Sequence, residues 1–586
     1  MRKVMEMNSG FASAAREKGH AALHNEDGAM WPFAVVTIMT MVMGLGLGLN
    51  MMRVETERMR AQSVADTAVL AAASMGQMRD AREVVEDFFD KAGLSDRLPP
   101  NAVQVVSGIN GKVVTVDTVT ETDTFFANYF GYEAMRSTGR ARAEEYRTDV
   151  EVVLVLDISG SMNSFNRIQN LKNAASDFVS ELLDADTENR ISVAVVPYNG
   201  QVNLTVPGAS TAQQRRALYD QINLRFGTPG VADGIAGFAD VTRRPGGPTA
   251  TATPATTADA LCIDMPQSQM VKPEFDQVPG LARTPYTDYW SSSATQNNSY
   301  RIAENHNAAN IWCPARNANG IRLPTNNKQA LLTYINNFEA VGATSIDLGL
   351  KWGSWLLDPQ AQPIMAALQN NTTMVSSHFT DRPRPFSDPN ILKVVVLMTD
   401  GEHFIDTRIR PQYRTGNPPN ALINRVWENN EWRYSIQHLN NASRPAPNNI
   451  YVPHLGTWRS TPYRGTNNNL TLVPVPLEQL WADHLAQWAI WQLWGRPLGM
   501  TYTNAVNMIR EQTATTQMDQ RMLQLCNTLK GRNVVIFGVA FEAPQVGQQL
   551  LSNCASSDRF FAVSGAELTN AFRKVRGQIV TLRLTQ

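Results

Sequence analysis

Neither sign of charge is in excess in this 586-residue chain: 52 Lys and Arg face 53 Asp and Glu, for a formal net charge of -1. Nothing in that balance would hold the protein on nucleic acid, which is not an expected partner. Cysteine is scarce as well. Cys262, Cys313, Cys526 and Cys554 are too widely spaced for a zinc knuckle, and the eight histidines are scattered rather than clustered as ligands. Catalytic signatures are missing: there is no Walker loop, no G-x-S-x-G elbow to activate a serine, and Glu402-His403 has no second histidine to complete H-E-x-x-H. The chain is therefore not expected to be an enzyme. What is present is globular in kind, 43% hydrophobic and 18% charged, with length for about two to four domains.

The four cysteines fall into two sequence-local pairs, which suits disulfides in an oxidising compartment. Three connectivities are possible; Cys262 with Cys313 and Cys526 with Cys554 is the expected one, against the alternative of four buried thiols. From Gly28 to Met52 no residue is charged, and the run exceeds the ~20 residues a spanning helix needs. A cleaved signal peptide would have a shorter apolar region and a small-residue site soon after it, whereas Asn50-Met51-Met52-Arg53 follows here. A retained anchor is expected. Arg2, Lys3, Arg16 and Lys18 before the span nearly match Arg53, Arg58 and Arg60 after it, so flanking charge barely orients it. The cysteines, all after the span, place the C-terminal part outside. Gly44 and Gly48 leave a helix-mediated oligomer possible, though glycine is common in spanning helices.

Beyond the span, Ala61, Ala65, Ala68 and Ala72 recur at helical spacing, predicting one helix that leaves the membrane with a small-residue stripe used for packing. Pro99-Pro100 ends the helical region. Val103 to Val119 reads as strands about the turn Asn110-Gly111, and Phe125 to Tyr132 as a short aromatic helix before a polar lead-in. The expected layout is a cytoplasmic tail (1–27), the span (28–52), a small α+β region (53–148) and an outer domain (149–586).

In the outer domain the apolar run Glu151 to Leu156 has the length of a central parallel strand. It ends in Asp157-Ile158-Ser159-Gly160-Ser161, after which Ile168, Leu171, Ala175, Phe178 and Leu182 repeat at helical spacing. Ile191 to Val196, Leu392 to Met398, Val534 to Ala540 and Arg559 to Val563 are further strands, the second ending in Thr399-Asp400-Gly401. Ser564-Gly565-Ala566-Glu567 opens a last helix burying Leu568, Phe572, Val575 and Ile579. Strand-helix alternation predicts an α/β, doubly wound, mostly parallel sheet, with acids at strand carboxyl ends where such folds bind ligands.

Those loops resemble the von Willebrand factor A family. Asp157-Ile158-Ser159-Gly160-Ser161 matches its D-x-S-x-S metal-ion-dependent adhesion motif, Thr344 in Val341 to Asp347 is similar to its second-loop threonine, and Asp400 matches its third-loop acid. The chemistry agrees: three hydroxyls and two carboxylates form a hard-oxygen set for Mg²⁺, with Ca²⁺ or Mn²⁺ as alternatives. The resemblance implies that a partner's acidic residue completes the coordination. The competing reading is that Asp157 and Ser159 merely cap the following helix.

Two insertions lengthen the domain. The first, near 207–326, contains the low-complexity stretch Pro245 to Pro254, expected to be an exposed loop. The second, near 404–500, holds seven of the chain's 12 tryptophans and, between Arg408 and Arg464, many more arginines than acids. Leu477, Trp481, Leu485, Trp488 and Trp491 predict an amphipathic helix there. Its tryptophans suit either a recognition surface or the core of a small subdomain.

The N-terminal region, with Asp27-Gly28-Ala29, the span, Arg53 to Gln62 and Asp66 to Ala73, resembles TadG-like proteins of the Flp/Tad pilus assembly system, and Leu551 to Ala555 and Thr581 to Thr585 are similar too. The resemblance implies a single-pass inner-membrane protein with its outer domain in the periplasm, binding envelope or pilus-assembly proteins in building or anchoring an adhesive pilus. No Glu stands five residues after Gly28, so prepilin-like cleavage is not expected. A surface adhesin and a metal-dependent envelope hydrolase are the rival functions.

Overall fold

The computed structural model describes residues 30–74, 79–107, 111–125, 127–146, 149–186, 188–207, 211–226, 261–276, 282–284, 312–313, 319–371, 375–379 and 381–585. The chain divides into two compact units, Met1–Arg147 and Thr148–Gln586. The tail 1–27 and the low-complexity stretch lie outside the described residues.

In the first unit a single helix, α1, runs Met30–Ala73. Its first half exposes the apolar side chains Trp31, Phe33, Leu45 and Leu49, while Ala61, Ala65, Ala68 and Ala72 in its second half are buried. The alanine stripe thus serves intramolecular packing, against helix α2 (Ala81–Lys91) and an antiparallel sheet of β1 (Val103–Ser107), β2 (Gly111–Asp123) and β3 (Ala134–Tyr146). Strand β3 replaces the expected polar lead-in. It pairs with β2 along its whole length and contributes only the small residues Ala141 and Ala143 to the core, so it carries no apolar periodicity. Between β2 and β3 the aromatic helix is one short turn, Ala127–Phe130.

The second unit is built on a six-stranded sheet. Its central strand β4 (Asp149–Asp157) pairs in parallel with β5 (Ile191–Tyr198) and β9 (Ile391–Thr399). β17 (Val535–Phe541) and β18 (Phe560–Val563) continue the parallel pairing beyond β9. At the opposite edge β8 (Arg322–Thr325) runs antiparallel to β5, a strand absent from the sequence expectation. Strands β4, β5 and β9 are buried almost throughout, as in a parallel sheet covered on both faces. Helices α3 (Arg167–Asp184) and α13 (Glu567–Thr585) cover one face, the latter through Leu568, Phe572, Val575 and Ile579. The other face is covered by α6 (Ile346–Trp355), α11 (Thr515–Gly531) and α12 (Gln545–Cys554). The result is the doubly wound, mostly parallel arrangement of a von Willebrand A-type fold. Disulfides join Cys262 to Cys313 and Cys526 to Cys554.

The second insertion is a subdomain of its own. Strands β11 (Ala421–Glu428), β12 (Glu431–His438), β13 (Ile450–Val452), β14 (Thr457–Arg459) and β15 (Val473–Pro474) form one antiparallel sheet. β10 (Asp406–Ile409) pairs with β16 (Arg510–Thr513), so the excursion closes beyond residue 500. Its tryptophans fill a core: Trp481, Trp488 and Trp494 are buried among Ile423, Tyr434, Ile436 and Leu480. The amphipathic helix is broken into Leu477–Asp483 and Ala486–Ala489, followed by wider turns over Ile490–Gly495. His484 is extended at the break and its Nε2 meets the Tyr434 hydroxyl, a tertiary contact that helical spacing does not foretell.

Helix α6 is buried along its whole length. Gly349 and Gly353 let it lie against the sheet, since a Cβ at either position would come within 2.5 Å of Tyr198 or Val155. Within it Lys351 is fully buried, and its Nζ donates to the carbonyls of Lys272, Pro273 and Glu274 at 2.7, 3.0 and 2.9 Å. Three acceptors satisfy the three donors of an ammonium, although burial pulls its pKa down to about 7. Lys351→Met is expected to destabilise the chain by on the order of 3 kcal/mol, because three buried carbonyls lose their donor. Denaturant unfolding measures it; a loss below about 1 kcal/mol would mean that the carbonyls find other partners.

Candidate metal centre

The five candidate oxygens come from three loops at the carboxyl edge of β4 and β9. The first loop leaves β4 at Asp157 and enters a short turn, Gly160–Asn163, before α3. The second, residues 341–345, is tied to the first by Val341 N–H donating to Ile158 O at 2.8 Å and Gly160 N–H to Gly342 O at 2.9 Å. Gly342 has φ +86°, and a Cβ there would meet Asn199 Nδ2 at 2.8 Å, so the tight turn presenting Thr344 needs glycine. The third loop follows β9, and Phe404 N–H donates to Thr344 O at 2.9 Å. It is pressed from behind by α12, where a Cβ on Gly547 would lie 2.2 Å from Gly401 O.

These loops place three of the five residues in one chain of oxygens and tie Asp157 to it through a backbone N–H. Ser159 Oγ and Ser161 Oγ are 2.9 Å apart, and Ser161 Oγ donates to Asp400 Oδ1 at 2.8 Å. Asp157 accepts from Ser159 N–H at 2.8 Å and from the Thr399 hydroxyl at 2.6 Å. Thr344, nearly buried, faces the third loop, its Oγ1 lying 4.0 Å from where a Cβ on Gly401 would stand. An octahedral Mg²⁺ with ligands at about 2.05 Å has neighbouring oxygens about 2.9 Å apart. The Ser159, Ser161 and Asp400 spacings are hydrogen-bond distances that would also serve as such an edge, and the hard-oxygen donor set suits the ion. Ser159 precedes the short turn Gly160–Asn163 without a side-chain capping hydrogen bond, and Asn166 is the residue before α3.

Two side chains that contact this set have no signal in the sequence, and a polar cluster lies behind it. Thr399 orients Asp157 from the neighbouring strand. Arg167 Nη1 pairs with Asp400 Oδ2 at 2.9 Å while its Nε reaches Glu542 at 2.8 Å. Behind the site, Asp347 meets Arg521 and lies 3.4 Å from His403 Nε2, whose Nδ1 is 2.7 Å from Asp519. Burial alone would raise Asp347, but His403 and Arg521 hold it at about 2. Among the described residues no group of three or more His, Cys, Asp or Glu is placed to hold a metal, so the two-carboxylate, three-hydroxyl set is not part of an acidic cage.

Burial is the first cause that pushes Asp157 upward, to about 7, and the Asp400 charge adds to it. Asp400 is also raised by burial, against Ser161 and Arg167, which lower it. One guanidinium does not neutralise the pair, and a divalent cation would. The consequence for a cation-free protein has a definite sign. An unfolded aspartate titrates near about 3.9 and the folded Asp157 near about 7, so the folded chain holds the extra proton between those values and loses stability as pH rises through that window. In chelator, the thermal midpoint of the full chain is expected to fall more steeply from pH 4 to 7 than that of Asp157→Asn. In unfolding free energy the extra loss over that window should be on the order of a few kcal/mol. Equal slopes would remove Asp157 as a buried, unneutralised charge.

Residues 28–75 match the family described as putative Flp pilus-assembly TadE/G-like. No curated protein matches the chain. Among solved structures it is similar to the vWF domain of the type V pili tip protein Mfa5 from Porphyromonas gingivalis, with 11% identity and a TM-score of 0.29, over 75% of this chain and 97% of that one. Similar too are the adhesive tip pilin GBS104 from Group B Streptococcus agalactiae (13% identity, TM-score 0.25, 73% of this chain and 99% of that one) and the pilus adhesin RrgA from Streptococcus pneumoniae (9% identity, TM-score 0.26, 82% and 48%). The chain thus joins a von Willebrand A-type fold, read from its own strand order, to an N-terminal region of the putative Flp pilus-assembly TadE/G-like type.

Proposed function

We propose that the protein is a membrane-anchored, divalent-cation-dependent protein-binding module that acts in assembling or anchoring a Flp/Tad-type pilus. The observation that carries this reading is the oxygen chain Ser159, Ser161, Asp400 at coordination-edge spacing, in a chain whose residues 28–75 match a pilus-assembly family. Asp157, Ser159, Ser161, Thr344 and Asp400 would hold the cation, Mg²⁺ by the hardness of the donors. When bound, the cation supplies a position for a carboxylate from a partner protein in the envelope. The protein residues fix the loops, and Arg167 keeps Asp400 aligned through Glu542.

Binding rather than catalysis is favoured by the serines themselves. Their hydroxyls bond to each other and to Asp400, whose other oxygen is held by Arg167, and among the described residues neither serine has a histidine or lysine as a hydrogen-bond partner. An anchor through α1 is supported by its exposed apolar half, of mean hydropathy 1.9, and the disulfides support an oxidising location for the outer unit, which is the periplasm if the N-terminus is cytoplasmic.

In a strain carrying Asp157→Ala at normal protein level, pili and pilus-dependent attachment are expected to be lost. Pili that persist while binding to an external ligand disappears would make the protein an adhesin instead.

A further inference from the structure

Residues 124–125 and 127–133, in the tip joining β2 to β3, are pinned to α1 where its apolar half ends. Phe125 N–H donates to Asn50 Oδ1 at 3.3 Å, and the Arg53 guanidinium lies 4.9 Å from the centre of the Phe125 ring. The tip is tightly closed: Thr124 N–H donates to Glu133 O at 3.0 Å, Tyr132 N–H to Ala127 O at 3.1 Å and Gly131 N–H to Asn128 O at 2.9 Å. Ala127 and Asn50 are buried beneath it, yet Phe125 and Tyr132 are 69% and 65% exposed.

The place of this contact along the helix decides what the rings meet. Asn50 is twenty residues beyond Met30, or about 30 Å at the helical rise, which is the thickness of a bilayer's hydrocarbon core. Arg53, the first charge after the apolar run, stands one turn farther. At that depth Tyr132 can place its hydroxyl among headgroups and its ring toward the acyl chains, while Phe125, without a polar end, gains by burying its apolar ring beside Arg53. In water, two large rings held out on a tightly turned tip would gain nothing from exposure.

We propose that Phe125 and Tyr132 form a second membrane contact, seated in the phospholipid headgroup region of the bilayer that α1 crosses. The inference rests on the reading of α1 as a spanning helix. Together with Arg53, the tip fixes the depth and rotation of α1, because a contact 72 residues away in sequence from Arg53 closes a rigid bracket on the membrane surface.

Photo-crosslinking of the full chain in its native membrane tests this, with p-benzoylphenylalanine introduced singly at positions 125, 132, 47 and 106. Leu47 lies within the apolar half of α1, and Val106 is exposed on β1 opposite Val113, about 33 Å of strand from the tip end of β2. Phospholipid adducts are expected at 47, 125 and 132 and not at 106. Lipid adducts at 47 with none at 125 and 132, or only protein adducts there, would overturn the proposal and leave the span intact. Absence of lipid adducts at 47 would overturn both.

Discussion

Two carboxylates at the ends of adjacent parallel strands, Asp157 on β4 and Asp400 after β9, are held together where water is nearly excluded, and much of the outer unit is arranged around that repulsion. The strands bring them together by pairing in register, Leu156 opposite Met398. What keeps the arrangement tolerable is partial compensation: two hydroxyl donors, one backbone N–H and the Arg167 guanidinium. That compensation is incomplete, and both acids are displaced upward from their ordinary range chiefly by burial. A divalent ion, as proposed, would supply the charge that the protein leaves out.

Behind the loops, buried polar groups add to the apolar packing of the sheet. Asp347, three residues after Thr344, ties α6 to the third loop through His403 and to α11 through Arg521, and Arg521 continues to Asp406 at the start of the second insertion. Lys351, one turn farther along α6, fastens residues 272–274 of the first insertion by three carbonyl contacts. Both insertions are therefore anchored to the helix that follows the second metal loop. Trp481, Trp488 and Trp494 are spent in the core of the second insertion, which is tied to the third loop through β10 and Arg521, while Trp427, Trp432, Trp458 and Trp491 stay partly exposed.

The parallel core was legible because strands covered on both faces read as unbroken apolar runs, as in Val152 to Leu156 and Val394 to Met398, and because acids and hydroxyls cluster where those runs stop. Strand β3 was not, since Ala141 and Ala143 are too small to mark a buried face among arginines and glutamates. The break at His484 was invisible because the residue it contacts there, Tyr434, lies 50 residues away. Arg167, Thr399, His403 and Arg521 were missed for the same reason. Long-range polar partners have no periodicity, so spacing identified the candidate oxygens but not the groups that align them. The disulfide pairing was accessible because each pair is local in sequence.

The central claim is that the three loops form one divalent-cation site. The most direct measurement is a Mn²⁺ titration of the purified full chain in detergent, read by electron paramagnetic resonance of the free ion, with Mg²⁺ competition. One saturable site is expected, displaced by Mg²⁺ and lost in Asp400→Ala and Thr344→Ala while Lys272→Ala retains it. Absence of saturable binding in the unaltered chain, or binding unchanged by both loop substitutions, would contradict the account.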